Sequence, residues 1–508
     1  MQKYLYRRQY LLGPRCSEGL IPGEAIAVAE GYHLTAHPEL EVTRASAGGN
    51  WLLLLGYVLD PFHPEEDNEA IIQGMVRDAR TPDDIFSRLR DKCGRYVVIA
   101  KTGDELRMFS DAAGMRQIFY CEDAAGKVWC SSQPHIIAHC LNIPVDEATR
   151  SDLAKTALFA TQKYWYPGSV TLFDGIRHLM PNHYLDLKKK ETVRYWPNRS
   201  LQPAPVEECV AKSGELLSGI IDSAGYRFSN LAFAISSGLD SRVLLAASRR
   251  TSGKIRYFTH LQHGESKTDT SLSIPSLLCN ALGLSHVYVH EEEAIDGAFE
   301  QLFNANVFTA RRSTMSNAYA IYRQFGLEGK DLTVIYGNCA EITKRDRSRY
   351  PKLPNFLITG KSITEMALLS RSATALKEFE GWLTSLRSLA EQYDLDVLDL
   401  LHWEHRVGSW AAMSFHEYET AFEIVCPYSC RQYIELLLGV PFKYRTKPDY
   451  LLQKRIAKAL WPETLGLPIN PGNSRVKKNV EDFLYRTNLY DVLKYLLMMF
   501  YRRHKVPR

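Results

Sequence analysis

The sequence predicts an α/β protein in two parts, a strand-rich first part and a parallel sheet wrapped by helices after it. Three observations predict this. Short β-leaning runs crowd roughly the first 195 residues, and beyond Val206 apolar strands alternate with helical spacing; Pro197 to Pro205, with three prolines in nine residues, separates the two rhythms. Taken in order, Trp51 to Leu55, Tyr96 to Ala100, Leu106 to Phe109, Ile118 to Tyr120 and Val128 to Cys130 read as strands of the first part. Helical spacing from Val206 to Tyr226 leads to a strand at Leu231 to Ile235, then to a helix that begins near Arg242, carries Arg249 and Arg250 in its last turn and ends at Gly253. A strand from Ile255 to Leu261, a helical stretch from Thr270 to Leu282 and strands near His286 and Leu332 follow. From Lys361 the pattern is mostly helical, with Leu386, Leu389 and Leu398 as core positions. Strand–helix alternation implies a parallel sheet with crossover helices, whose ligands bind beyond the carboxyl ends of the strands.

Bulk properties narrow the class. A chain of 508 residues exceeds one core. With 45% hydrophobic and 24% charged residues it has the balance of an ordinary globular protein. A net charge of +4, from 62 basic against 58 acidic residues, is too even to point to nucleic acid or an anionic membrane as partner. The basic end from Arg502 to Arg508 reads as a solvated tail. Ten cysteines without a Cys-x-x-Cys pair give neither a disulfide framework nor a zinc ribbon. Reduced thiols, no signal-like start and no run of about 20 apolar residues lead us to expect a cytoplasmic location.

The chemistry centres on Ser236-Ser237-Gly238-Leu239-Asp240-Ser241, where an apolar strand hands over to a helix. Backbone N–H groups of such a turn and of the helix start converge on one point, a ready cradle for a pyrophosphate. Asp240 in that cradle would repel the ligand unless a hard cation such as Mg²⁺ lay between them. A second site follows the apolar strand Leu332 to Tyr336, at Gly337-Asn338-Cys339-Ala340-Glu341, and a third is Glu423-Ile424-Val425-Cys426-Pro427. From residue type alone, Glu341 also reads as a surface acid starting a helix, and Glu423 as an acid paired with a nearby base.

The first of these motifs resembles the pyrophosphate loop of the asparagine synthetase superfamily, which includes β-lactam synthetases and the macrolactam cyclases of lasso peptides. Ser237 stands where that loop has its first glycine. Asp111 to Arg116 with Phe119-Tyr120, then Ser131-Ser132-Gln133, Pro181-Asn182-His183-Tyr184 and Arg194-Tyr195-Trp196 resemble landmarks of the family in the same order. The resemblance implies an N-terminal Ntn-hydrolase-like αββα domain over residues 1–196, of the class II glutamine amidotransferase type. It also implies a C-terminal domain over 206–508, a parallel sheet like that of the adenine-nucleotide alpha hydrolases. ATP would then bind at Ser236, Ser237, Gly238, Asp240, Ser241 and Gly337, with Mg²⁺ held by Asp240 and Glu341. Glu423 would receive a proton from, or orient, an attacking amine. The family's late lysine falls at Asn470 here, and Lys477, with Lys478 beside it, is the nearest following cation. Asn338 occupies the place of the tyrosine that β-lactam synthetases pair with the glutamate.

The glutaminase chemistry of the family is expected to be lost. The chain begins Met1-Gln2, its first cysteine is Cys16, and Leu55-Gly56 stands for the oxyanion-holding Asn-Gly. The resemblance thus implies an ATP-dependent amide-forming ligase that activates a small-molecule or peptide carboxylate as an acyl-adenylate. The amine would be a group on the substrate itself, giving a lactam or macrocycle, or else free ammonia, as in an asparagine synthetase-like amidation. A partner protein is expected if the chain serves peptide maturation. The alternative outside this class is a degenerate nucleotide-binding protein. His402 and His405 lack the His-Glu-x-x-His pattern and read as a half-exposed structural pair rather than a metal site. Sulfur transfer at Cys339 would need a partner thiol motif or a basic RNA surface, and neither is in the sequence.

Overall fold

The computed structural model describes residues 2–501 except 17–18, 162–163, 293, 310, 327–330 and 472–474; the tail from Arg502 lies outside the described residues. The first part holds two six-stranded antiparallel sheets. Alternation along the long strands Asn50–Leu59 and Cys93–Thr102 decides what each face meets. Leu53, Leu55, Val97 and Ile99 face the other sheet, against Tyr10, Leu12 and Leu34. Leu52, Leu54 and Val98 face the opposite way, under Ile71, Ile72 and Met75 of the helix Asn68–Asp78. On the far face of the first sheet, Leu11, Cys121 and Trp129 pack under Ile136 and Ile137 of the helix Pro134–Leu141. The layers are therefore αββα, and every strand expected from the sequence in this part is present.

Residues 195–205 form neither helix nor strand, and the helix Val206–Arg227 opens the second part. Its sheet has five strands, ordered His286–His290, Ile255–Leu261, Leu231–Ala234, Thr333–Ile335, Glu423–Val425. All four pairings are parallel, with Leu231 level with Thr333 and Thr333 level with Glu423. The chain leaves the central strand Leu231–Ala234 toward one edge and returns beside it at Thr333–Ile335 to build the other. This reversal places the loops after those two strands side by side, the crevice where sheets of this kind receive ligands. The two parts share one continuous core, in which Tyr57, Leu59, Cys93 and Met115 of the first pack with residues of the second. Among the described residues no helix is long and apolar enough to cross a membrane.

Candidate functional site

The turn after the central strand is held by its own serines. The Ser236 N–H donates to Ser241 Oγ at 3.2 Å, and the Gly238 N–H to Ser236 Oγ at 3.2 Å. The Ser241 hydroxyl in turn reaches the carbonyl oxygens of Ser236 and Gly238, at 2.9 and 3.1 Å. This knot starts the helix at Leu239, with Gly238 as its cap, three residues before the expected position near Arg242. Asp240 and Ser241 therefore sit in the first turn, where unpaired N–H groups and the helix dipole favour an anion. The helix ends at Ala247, so Arg249 and Arg250 lie beyond its last turn rather than in it, and Gly253 falls in a separate 3₁₀ turn. Ser236 is exposed, while Gly238 and Asp240 are half-buried, so the turn opens to solvent. A side chain at Gly238 would meet Ser236 Oγ at 3.1 Å, which keeps the approach to the backbone clear only for glycine.

The loop after Thr333–Ile335 comes against this turn. A Cβ at Gly337 would lie 3.5 Å from Asp240 Cβ and 3.7 Å from the Ser241 nitrogen. Cys339 holds φ +70° at the cap of the short helix Ala340–Lys344, a left-handed conformation that favours glycine, and Glu341 follows in the first turn of that helix. The Asp240 charge is felt at the Glu341 carboxylate. Burial first, and then the charge of Asp240, push the Glu341 carboxyl above its usual range. Asp240 Oδ1 and Glu341 Oε2 are both buried without a hydrogen-bond partner among the described residues, while Asp240 Oδ2 pairs with the Lys344 ammonium. Two acids with one orphaned oxygen each suit a hard cation that completes its shell with phosphate oxygens and water. Among the described residues no group of three or more His, Cys, Asp or Glu forms a self-sufficient metal site.

Lys344, not picked out from the sequence, supplies a cation at this turn; it lies three residues after Glu341 on one helical face and 5.7 Å from the Tyr450 ring centre. Asn470 also reaches the turn: its N–H donates to the Ser237 carbonyl at 3.2 Å, and its Oδ1 accepts from Ser237 Oγ at 3.3 Å. Arg242, fully buried in the same helix, fixes this contact by donating to the carbonyls of Thr464, Leu467 and Pro468. Lys477 belongs to the helix Arg475–Arg486, and its side chain lies outside the described residues.

Glu423 is not brought to the turn, and the expectation that it handles the amine's proton is corrected here. It starts the last strand level with Leu231, so it sits at the amino edge of the sheet, on the order of 15 Å along the strands from Ser236. Its carboxylate accepts from Arg95 at 2.8 Å and Arg116 at 2.9 Å, and both guanidiniums also reach Glu419, at 2.6 and 2.7 Å. Burial alone would raise the Glu423 carboxyl, but Arg116 and Arg95 outweigh it and hold the group below its usual range. A committed, ionised carboxylate is a poor proton acceptor here. Arg116 also fills the place expected to correspond to an oxyanion hole: a Cβ at Gly56 would meet its Nε at 2.8 Å.

Other residues singled out in the sequence settle as structure. His402 and His405 are buried, not half-exposed, inside a π-helix, His402–Ala411. His405 Nδ1 accepts from the Gly168 N–H at 3.0 Å, and burial lowers its pKa to about 3. Cys339 and Cys426 lie Sγ to Sγ at 3.3 Å, and burial pushes the Cys339 thiol well up, away from the thiolate that sulfur chemistry needs. Cys16 is an exposed free thiol.

No protein-family profile matches the chain. No curated protein matches it either. Among solved structures it is similar to a glutamine-dependent NAD+ synthetase from Acinetobacter baumannii in complex with ADP, at 12% identity over 48% of this chain and 57% of that one, with a TM-score of 0.20. It is also similar to a glutamine phosphoribosylpyrophosphate amidotransferase from B. subtilis complexed with ADP and GMP, at 11% identity over 69% and 72%, with a TM-score of 0.23. The chain spans about 57% of the length of that NAD+ synthetase. With superpositions this loose, the fold rests on the layer and strand order described above.

Proposed function

We propose that the protein is an ATP-dependent amide-forming ligase. The observation that carries this reading is the acid pair Asp240 and Glu341, each with an orphaned oxygen, set against an open strand-to-helix turn at the reversal point of a parallel sheet. The backbone of Ser236 to Ser241 and the helix start bind the phosphates of ATP. Lys344 offsets their charge, and Asp240 with Glu341 would hold Mg²⁺, whose chemistry there is to neutralise charge on the leaving pyrophosphate. A substrate carboxylate attacks the α-phosphorus; pyrophosphate departs, and an amine displaces AMP from the acyl-adenylate. Activation is required because a carboxylate at neutral pH is a weak electrophile.

The blocked surroundings of Gly56 favour an amine that does not come from glutamine. It is a group on the substrate, giving a lactam or macrocycle, or else ammonia. A second reading, a nucleotide-binding protein without turnover, is favoured by the Lys344 pair on Asp240 and by the withdrawal of Glu423. Pyrophosphate release separates the two. A ligase releases pyrophosphate from ATP only with Mg²⁺ and a suitable carboxylic acid or peptide, and stops in Asp240→Ala. A panel of acids and peptides that elicits none, from protein that binds ATP, overturns the ligase reading.

A further inference from the structure

Beside Glu341 lies a partly open cavity of about 140 Å³ between the stretch 341–350 and the π-helix His402–Ala411. Five side chains on its wall carry a buried polar atom with no partner among the described residues: Glu341 Oε2, Tyr350 Oη, His402 Nδ1, one terminal nitrogen of Arg406, and Trp410 Nε1. Buried polar atoms are rarely left unpaired, because each gives up its hydration with nothing in return. Five of them around one void mark a space shaped for a polar occupant. The other charged groups on the wall are engaged: Arg349 donates to the carbonyls of Met366 and Ala367, and Asp346 accepts from Ser348.

The chemistry of the five is lopsided. Arg406 is the cation: its guanidinium lies 3.7 Å over the Trp410 ring, has no salt-bridge partner among the described residues, and burial lowers its pKa to about 10. Stacking on the ring holds the guanidinium in orientation, and its unpartnered terminal nitrogen is a donor suited to a carboxylate oxygen. The indole N–H and the phenol O–H add neutral donors. The ten-residue π-helix is what brings Arg406 and Trp410 to this wall, and such distortions gather at functional sites. The volume equals four or five waters at about 30 Å³ each, which is room for a carboxyl group on a short carbon stem.

We propose that this cavity seats the carboxylate of the acyl substrate, with Arg406 as its clamp and Trp410 and Tyr350 as flanking donors, so that the substrate class is a short-stemmed carboxylic acid or acidic side chain. This rests on the ligase reading for its purpose, since Glu341 belongs both to the cavity and to the acid pair, though binding itself can be measured without turnover.

The test uses the full chain and the fluorescence of Trp410, isolated by subtracting Trp410→Phe. Acetate, propionate and succinate are titrated at constant ionic strength, with propionamide and inorganic phosphate as controls. The expected result is a saturable change with the acids, absent with propionamide and at least tenfold weaker in Arg406→Met. Arg406→Lys, which keeps the stem and the charge, retains part of the affinity, and circular dichroism checks that each variant is folded. A saturable response to phosphate equal to that for the acids, an equal response in Arg406→Met, or a crystal structure in which high acetate leaves only ordered water in the cavity overturns the proposal. If acids bind here but no acid elicits pyrophosphate, the ligase reading fails and the site stands. If pyrophosphate release requires Asp240 yet acid binding ignores Arg406, the site fails and the ligase reading stands.

Discussion

Replacing Glu423 by glutamine asks whether this acid holds the two halves together or handles protons. Arg95 and Arg116 come from the strand-rich part, Glu419 and Glu423 from the segment entering the last parallel strand, and the four charges cancel. All four side chains are nearly or fully buried, at 2% and 0% exposure for the arginines and 0% and 11% for the acids. Removing one charge leaves a buried guanidinium short of a partner, a change that costs about 3–5 kcal/mol. Urea denaturation should therefore show a lower midpoint for Glu423→Gln at unchanged slope. Removing the pair together, in Arg116→Met with Glu423→Leu, should cost less than the sum of the two single changes by about 1–3 kcal/mol, the coupling of groups in direct contact. Where the protein is folded, residual turnover should persist, because the group lies at the far edge of the sheet from the turn. A Glu423→Gln protein of native stability that had lost turnover would refute this reasoning and restore the catalytic assignment.

Other expectations follow from the same geometry. In Glu341→Gln the two carboxylates no longer repel, so in chelator the melting temperature should hold or rise, while ATP affinity measured calorimetrically with Mg²⁺ falls at least tenfold. Lys344→Met should weaken ATP about tenfold, equal to about 1.4 kcal/mol, with AMP affinity little changed, because the ammonium serves the outer phosphates. Gly238→Val should abolish nucleotide binding with little loss of stability, since the new side chain fills the approach to the turn. Glu404 gives a pH test: burial would raise it, but Arg194 at 2.5 Å outweighs this and brings its pKa from 4.5 to about 2. A depressed acid stabilises the fold above its unfolded pKa and loses that contribution as pH falls. Wild type should shed about 3 kcal/mol from this group between pH 5 and 2, at about 1.36 kcal/mol per unit, and Glu404→Gln should lack that slope while starting less stable at pH 7.

Much of the fold was legible because strands in a sandwich and in a parallel sheet advertise themselves through alternation and apolar runs. Ile255–Leu261 and Val206–Arg227 fall where their spacing places them. The helix after the central strand was misplaced because its start is set by the Ser236–Ser241 hydroxyl knot, a side-chain contact that periodicity does not encode. Asp240 and Glu341 were singled out together through the family resemblance, and each lies in the first turn of a helix that follows a strand of the parallel sheet. Glu423 misled because a motif gives residue order and not which edge of the sheet a residue occupies; the partners that claim it, Arg95 and Arg116, lie about 300 positions earlier in the chain. Lys344 and Arg406 carried a weak signal in their spacing, three residues from Glu341 and four from Trp410, but such pairs are common on any helix. Only the arrangement in space shows that each faces the same small region as the acid pair.

The most direct measurement is a crystal structure of the full chain with ATP and Mg²⁺ at saturating concentration. The account predicts the triphosphate on the backbone of Ser236 to Ser241, with one metal ion touched by both Asp240 and Glu341. Nucleotide density elsewhere, or a turn that stays empty with Lys344 still locked on Asp240, would contradict it.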